Sequence, residues 1–316
     1  MLKREWKTST AAVFNCIRSA SGTAIERARD MNPRFGRFAF FFSLLFLCAT
    51  SAFADWTRVA DGVDYQNFKQ GTMSVHVARV DLTSDAIRII ATPESQRRLR
   101  VSEFAKKNHA LIAINGDYFT KEFQPIGLIS GPCGTWKGSK DTTREGVIAV
   151  GDGRAKIFPP KDVLDEPEGW MEAIVSGWPM IVKSCTPLTG SQLPGGDAFT
   201  RSPHPRTAVG LSQDGKTLYF VVADGRRDGV PGLTLARLAR FMSEELDVCS
   251  AMNLDGGGSS AMWIDDRIIN KPSDGVEREV ANHLAVVRAN ELVDCNEKKT
   301  LESPLHSPAS GNRQKR

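Results

Sequence analysis

The ten residues from Asn253 to Met262 (Asn-Leu-Asp-Gly-Gly-Gly-Ser-Ser-Ala-Met) hold the densest chemistry in this 316-residue chain. Asp255 ends a short apolar run, Ala251 to Leu254, and Gly256, Gly257, Gly258, Ser259 and Ser260 follow at once. Consecutive glycines are entropically costly, so they are kept where the backbone takes positive φ or touches something closely. Successive free N–H groups in such a turn form a concave nest for an anion. The hydroxyls add donors and Asp255 adds a carboxylate. That set suits a site handling a sugar and a phosphate. Three glycines alone would read equally well as a tight surface turn.

Four more polar clusters sit where an apolar run meets a loop. Leu111 to Ile114 runs into Asn115-Gly116-Asp117-Tyr118-Phe119, and Pro205-Arg206-Thr207-Ala208-Val209-Gly210 opens another run. Tyr219 to Val222 leads into Ala223-Asp224-Gly225-Arg226, and Arg278-Glu279-Val280-Ala281-Asn282 leads into a last apolar strand. Taken singly, the two Asp/Asn-Gly clusters read as turns. Arg206 reads as a surface cation, and Arg278 with Asn282 as a solvated face. Taken together, five strand ends share Asp, Asn, Arg and Gly, and strand ends on a rigid sheet are where many folds assemble a site.

In this order the motifs resemble the phosphodiester glycosidase family, over residues 75–290 or so. The element from Asp255 to Ser260 is the most specific part of the resemblance. It implies hydrolysis of a sugar-1-phosphodiester at the anomeric carbon, with the phosphate left on the other alcohol. The first motif departs from the family at its third position, commonly glycine and here Asp117. No family role is therefore carried onto Asp117.

A phosphate monoester leaves far more readily than an alkoxide, so cations that grip the phosphate replace strong general-acid help. Arg206, Arg226 and Arg278 are the candidates, because guanidinium binds phosphate bidentately. The backbone of Gly256, Gly257, Gly258 and Ser259 offers further donors. Oxocarbenium-like charge at the sugar needs a carboxylate to stabilise it, attack it or activate water. Asp255 is the first candidate and Asp224 the second. Asn115 and Asn282 would orient sugar hydroxyls, and Gly116 completes the substrate-binding set.

No cofactor and no metal are required by this scheme. A divalent cation such as calcium would suit the hard oxygens of Asp117, Asp224 and Asp255. Two other readings compete. A metal-assisted phosphodiesterase would need clustered Asp/His ligands, and the chain has five histidines with no His-Glu-x-x-His spacing. A non-catalytic glycan-binding module would stack sugars on Trp136, Trp170, Trp178 or Trp263.

Residues 38–49 are apolar but for Ser43, with Arg34 and Arg37 before them and Ala52-Phe53-Ala54 after. That pattern is a signal peptide, too short for a spanning helix. Met31 would give it ordinary length and is the expected start. Periplasmic or secreted localisation follows, with no stable membrane insertion after cleavage. The first 54 residues hold eight of the 41 Lys/Arg and three of the 37 Asp/Glu, which leaves 33 and 34 in the remainder. The basic balance therefore belongs to the leader, and no nucleic-acid partner is implied.

Cys133, Cys185, Cys249 and Cys295 lie beyond the leader, with no Cys-x-x-Cys spacing. Two disulfides are expected, in one of three connectivities. Cys249 precedes the glycine-rich strand end and Cys295 follows the last strand, so that pair is favoured, with Cys133–Cys185 by elimination.

Strand signals dominate the rest: 73–80, 86–91, a hairpin over 146–150 and 155–158, another over 207–211 and 217–223, then 261–264, 267–270 and 283–287. Asp214-Gly215 suggests a type I′ turn. Ser102 is a candidate cap for a helix to about His109, and Thr234 for one over Leu235–Leu246. Many hairpins with few helices read as α+β, a single domain over 55–295 with a largely antiparallel or mixed sheet. Residues 296–316 read as a disordered polar tail.

Overall fold

Regular pairing begins at Thr57. The computed structural model describes residues 56–142, 145–162, 164 and 166–295. The expected leader, its cleavage site and the expected polar tail from 296 lie outside the described residues. In chain order the strands are β1 (Thr57–Ala60), β2 (Val63–Gln70), β3 (Met73–Asp81), β4 (Ile87–Ala91) and β5 (Ile112–Asn115), with helix α1 (Val101–Lys107) between the last two. Next come β6 (Ile129–Gly131), β7 (Gly134–Thr135), β8 (Gly146–Gly151), β9 (Arg154–Phe158), β10 (Ala173–Gly177), β11 (Met180–Lys183) and β12 (Thr186–Pro187). The one-turn helix α2 (Asp197–Thr200) precedes β13 (Arg206–Leu211) and β14 (Thr217–Ala223). Helix α3 (Leu235–Glu245), β15 (Ser250–Asn253), β16 (Met262–Ile264), β17 (Arg267–Ile268) and β18 (His283–Arg288) complete the chain.

Three sheets result, ordered β1-β2-β3-β14-β13-β15-β11-β12, β7-β6-β10-β8-β9 and β17-β16-β5-β18-β4. Every strand pairing recorded among the described residues is antiparallel. The α+β expectation therefore holds, and all these residues fall in one compact unit. Among them no helix is long and apolar enough to cross a membrane.

Alternation decides which face goes where. On β13, Val209 and Leu211 enter a core that also takes Ile148 from the second sheet and Ile112 and Leu284 from the third. Ala208 points the other way, into a second core closed by α3. That helix buries Leu235, Leu238, Ala239, Phe241 and Met242 on one stripe, and Thr234 caps it by accepting from Arg237 N at 3.2 Å. Each large apolar side chain so buried stabilises by about 1.5–3 kcal/mol. Helix α1 covers β5 and β18 with Phe104 and Ala105. Both faces of β13 are thus dry, which holds its first residue rigidly.

Three local expectations are corrected. Ser102 lies inside α1 rather than capping it; the cap is Arg100, whose N–H donates to Glu103, while Ser102 donates to Glu277. Asp214-Gly215 is not a type I′ turn, because only Gly215 has positive φ; Asp152-Gly153 and Asp265-Asp266 carry the paired positive φ values instead. The disulfides are Cys133–Cys295 and Cys185–Cys249. Cys249 precedes β15, whose hydrogen-bonded neighbour is β11, and Cys185 sits in the turn after β11. β18, which leads to Cys295, belongs to a different sheet from β15. Closeness along the chain misled here because strand order differs from chain order.

Candidate active site

Register brings the five polar strand ends together. Asn115, the last residue of β5, stands opposite His283 at the start of β18. Arg206 opens β13 opposite Ala223, the last residue of β14, and Ala208 stands opposite Asn253, the last of β15. Hydrogen bonds then knit the loops. Asp255 N donates to Gly116 O at 3.0 Å, and Asn115 Nδ2 to Asp255 O at 2.6 Å. Asn115 Oδ1 accepts from Thr207 Oγ1 at 2.7 Å. Gly116 N donates to Asn282 O at 2.9 Å, and Asn282 Oδ1 accepts from Asp117 N at 2.9 Å. A Cβ on Gly116 would overlap Asn282 Oδ1, so glycine is required for this approach. Asn115 and Asn282 thus hold backbone in place.

Asp255 accepts from Gly256 N at 2.9 Å. Burial drives its carboxyl above its ordinary pKa, against the Ser259 hydroxyl, the Gly256 amide and the Arg278 charge. The Ser259 hydroxyl is near enough to act on Asp255 but makes no well-formed hydrogen bond. Ser259 Oγ, Ser260 Oγ, Asn282 Nδ2 and Asn253 Oδ1 are buried polar atoms without a hydrogen-bond partner. Buried polar groups are normally paired, so four such atoms around one turn mark a place that takes polar contacts.

The glycine-rich turn is crossed closely by two of the three predicted arginines. Gly257 has φ +62°, and a Cβ there would stand 2.9 Å from Arg226 Nη1. A Cβ on Gly258 would overlap Asp274 Oδ2 and Arg278 Nη2. Arg226 is exposed and makes a 3.3 Å contact with His204 Nδ1; Arg278 pairs with Asp274 at 2.5 Å. Arg206 behaves differently. It is buried, and its Nε and Nη2 donate to the carbonyls of Leu233 at 3.1 Å and Phe199 at 2.5 Å. Burial pulls its pKa down to about 10. Its guanidinium is thus largely committed to backbone, in contrast to the exposed cation expected of a phosphate grip.

Asp224 forms a separate centre. Its Oδ2 accepts from Ser74 Oγ at 2.9 Å and pairs with Arg227 at 3.1 Å, with His76 Nε2 at 3.4 Å. Its Oδ1 accepts from Lys271 N at 2.8 Å. Burial works to raise its pKa, but the His76, Lys271 and Ser74 contacts outweigh that and leave it below the ordinary value. No described contact joins it to Asp255. Asp117, Asp224 and Asp255 do not form a metal-ligand group, and no cluster of three His, Cys, Asp or Glu side chains does so among the described residues.

A family model for phosphodiester glycosidases matches residues 108–287, more than half of the chain, and spans all five clusters.

The chain belongs to the phosphodiester glycosidase family.

The SPbeta prophage-derived uncharacterized protein YomE of Bacillus subtilis (strain 168) is 29% identical over 197 residues, covering 60% of this chain and 30% of that protein. The N-acetylglucosamine-1-phosphodiester alpha-N-acetylglucosaminidase of Mus musculus is 26% identical over 238 residues, covering 66% of this chain and 43% of that protein. The chain thus spans less than half the length of these two relatives. The catalytic domain of the zebrafish N-acetylglucosamine-1-phosphodiester alpha-N-acetylglucosaminidase, solved in a form auto-inhibited by its pro-peptide, superposes with a TM-score of 0.57 at 21% identity. The match covers 71% of this chain and 81% of that one, and speaks to the fold.

Two further groups at the site, Tyr118 and Glu145, escaped the sequence reading, and Asp117 entered it only as a candidate calcium ligand. Asp117 is fully buried and accepts from Tyr118 N at 2.7 Å and Gly127 N at 2.8 Å. Burial pushes its pKa up to about 8; the Glu145 and Asp255 charges add to this, and the two amides oppose it. Tyr118 donates to Trp178 O at 2.9 Å and accepts from Asn253 Nδ2 at 2.7 Å; burial, aided by the Asp255 charge, holds its hydroxyl protonated. Asp117 and Tyr118 stand in the first motif, so their strand-end position was a usable signal. Glu145 lies in no motif; it directly precedes β8, whose pairing with β10 sets Gly146 opposite Gly177, and its charge acts on Asp117. Of the four tryptophans, Trp136 and Trp263 are buried core. Trp178 stacks on Phe199 at 5.1 Å, and Phe199 in turn lies 5.0 Å from the Arg206 guanidinium.

Proposed function

We propose that this protein is an exported hydrolase that cleaves a sugar-1-phosphodiester at the anomeric carbon. One observation carries the reading: Asp255 is held beside a glycine-rich turn that Arg226 and Arg278 cross at close range. A phosphate seated on that turn meets two guanidinium groups; the amides of Gly256, Gly257 and Ser259, expected as further donors, already donate to Asp255 Oδ1, Pro205 O and Gly256 O, so the grip is that of the arginines. The anomeric carbon bonded to it then falls next to a carboxylate. Asp255 stabilises or captures the oxocarbenium-like centre, and the arginines take up the charge of the departing phosphate. Asn115 and Asn282 fix the backbone around Asp255. Arg206 supports the aromatic wall of Phe199 and Trp178.

N-acetylglucosamine is the proposed sugar, supported by the name of the mouse relative. A phosphorylated envelope or exopolysaccharide-type material is the proposed source, supported by two disulfides suited to an oxidising compartment and by the leader pattern. We place the protein in the periplasm or outside the cell on the same grounds, and propose that no cofactor is needed.

Turnover of UDP-N-acetylglucosamine in ¹⁸O-water tests this. Free N-acetylglucosamine carrying the label, lost in Asp255→Asn and kept in EDTA, is expected. Label in the phosphate would mean P–O cleavage. No release from a panel of sugar-1-phosphodiesters by folded protein would sink the hydrolase reading.

A further inference from the structure

One charged side chain at the glycine-rich turn has no part in the scheme above. Asp274 Oδ2 pairs with Arg278 Nη2 at 2.5 Å, and the two side chains are 38% and 46% exposed. The pair lies directly against Gly258, where a Cβ would overlap both atoms. Arg226 crosses the neighbouring Gly257. The Asp274 carboxylate therefore already makes the contact with Arg278 that a phosphate on this turn would make.

Its setting lets it leave. Asp274 stands four residues before Arg278 in the 269–282 connection between β17 and β18, which has no regular structure. Gly275 takes φ +81° in a turn closed by its own N–H to Pro272 O at 3.1 Å, and Val276 beside it is 68% exposed. A half-exposed ion pair of this kind contributes little, because water solvates both ends when it opens. An incoming phosphodiester offers two oxygens to the same guanidinium and gains Arg226, over the neighbouring Gly257, as a second cation.

We infer that Asp274 is a built-in counter-anion that occupies Arg278 in the free protein and competes with the phosphodiester of the substrate for it. This rests on the reading of Gly256–Ser259 with Arg226 and Arg278 as the phosphate subsite. Asp274 thereby sets apparent affinity for anions at the turn. A purely orienting role, in which Asp274 holds Arg278 ready, predicts the opposite sign when the carboxylate is removed.

Calorimetric titration with inorganic phosphate, and KM for a sugar-1-phosphodiester, on wild type, Asp274→Asn, Asp274→Ala and Arg278→Ala separate these cases. Competition predicts that both Asp274 variants bind phosphate about two- to five-fold tighter and lower KM by a similar factor, the size expected of a half-exposed pair. Weaker binding or a raised KM in those variants would make Asp274 an orienting group and overturn the inference. Unchanged binding in them, with weaker binding in Arg278→Ala, would overturn it while leaving the phosphate subsite standing. Equal phosphate binding by wild type and Arg278→Ala would instead remove the subsite reading beneath it. Melting curves of all three variants, at partly exposed positions, guard against misfolding.

Discussion

The side-chain amide of Asn115 donates a 2.6 Å hydrogen bond to the backbone carbonyl of Asp255, 140 positions further along the chain. In return Asp255 N donates to Gly116 O at 3.0 Å. The ends of β5 and β15 are in different sheets, and this pair of bonds clamps them. Asn115→Asp would turn a donor into an acceptor facing a carbonyl. Stability is expected to fall by about 1–3 kcal/mol, the cost of a buried mismatch, and turnover to fall further than the unfolded fraction explains. Urea unfolding beside activity at fixed folded fraction checks this.

The three arginines should separate by experiment. Arg206 is buried against backbone carbonyls, so Arg206→Ala removes a donor from Phe199 O and one of the two donors to Leu233 O, the other being His204 N, and destabilises by about 1–3 kcal/mol. Arg226 is exposed, so Arg226→Ala should keep the melting temperature within a degree or two and raise KM several-fold. Equal loss of stability in both variants would contradict the division.

Asp117 gives the fold a pH signature. Its folded pKa of about 8 is raised above the unfolded carboxylate value, so the folded state binds the extra proton. Stability linked to it is full below about pH 4 and is lost as pH rises through 8. Asp117→Ala sacrifices two amide contacts at every pH but removes that slope. Denaturation midpoints at pH 5 and pH 8 should therefore differ less for the variant than for wild type. Parallel slopes would mean that Asp117 ionises normally.

The disulfides are checked by non-reducing peptide mapping. Peptides joining Cys133 to Cys295 and Cys185 to Cys249 are expected. Removing Cys133–Cys295, whose partners are 162 residues apart, should cost about 2–5 kcal/mol. A peptide joining Cys249 to Cys295 would contradict the strand order.

Much of this architecture is written locally in the chain. Alternation along 73–80, the apolar stripe from Leu235 to Met242 and the cap at Thr234 each depend on residues a few positions apart, and each forms close to its expected bounds. The glycine run and the five polar strand ends are likewise local, since a turn that lets side chains cross it at close range needs glycine wherever it lies. What the strands pair with is not local. Cys249 sits nearer in sequence to Cys295 than to Cys185, yet joins Cys185, because β11 and β15 are neighbours through backbone hydrogen bonds that no side-chain pattern encodes. Burial is not local either. Asp224 and Arg206 look like free charges at strand ends, but His76, Ser74 and Arg227 saturate one and backbone carbonyls the other. Residue type told which groups have the chemistry. Only the packing of three sheets decided which of them are buried against partners and which stay exposed, and the roles proposed for Asp255, Arg226 and Arg278 rest on that packing.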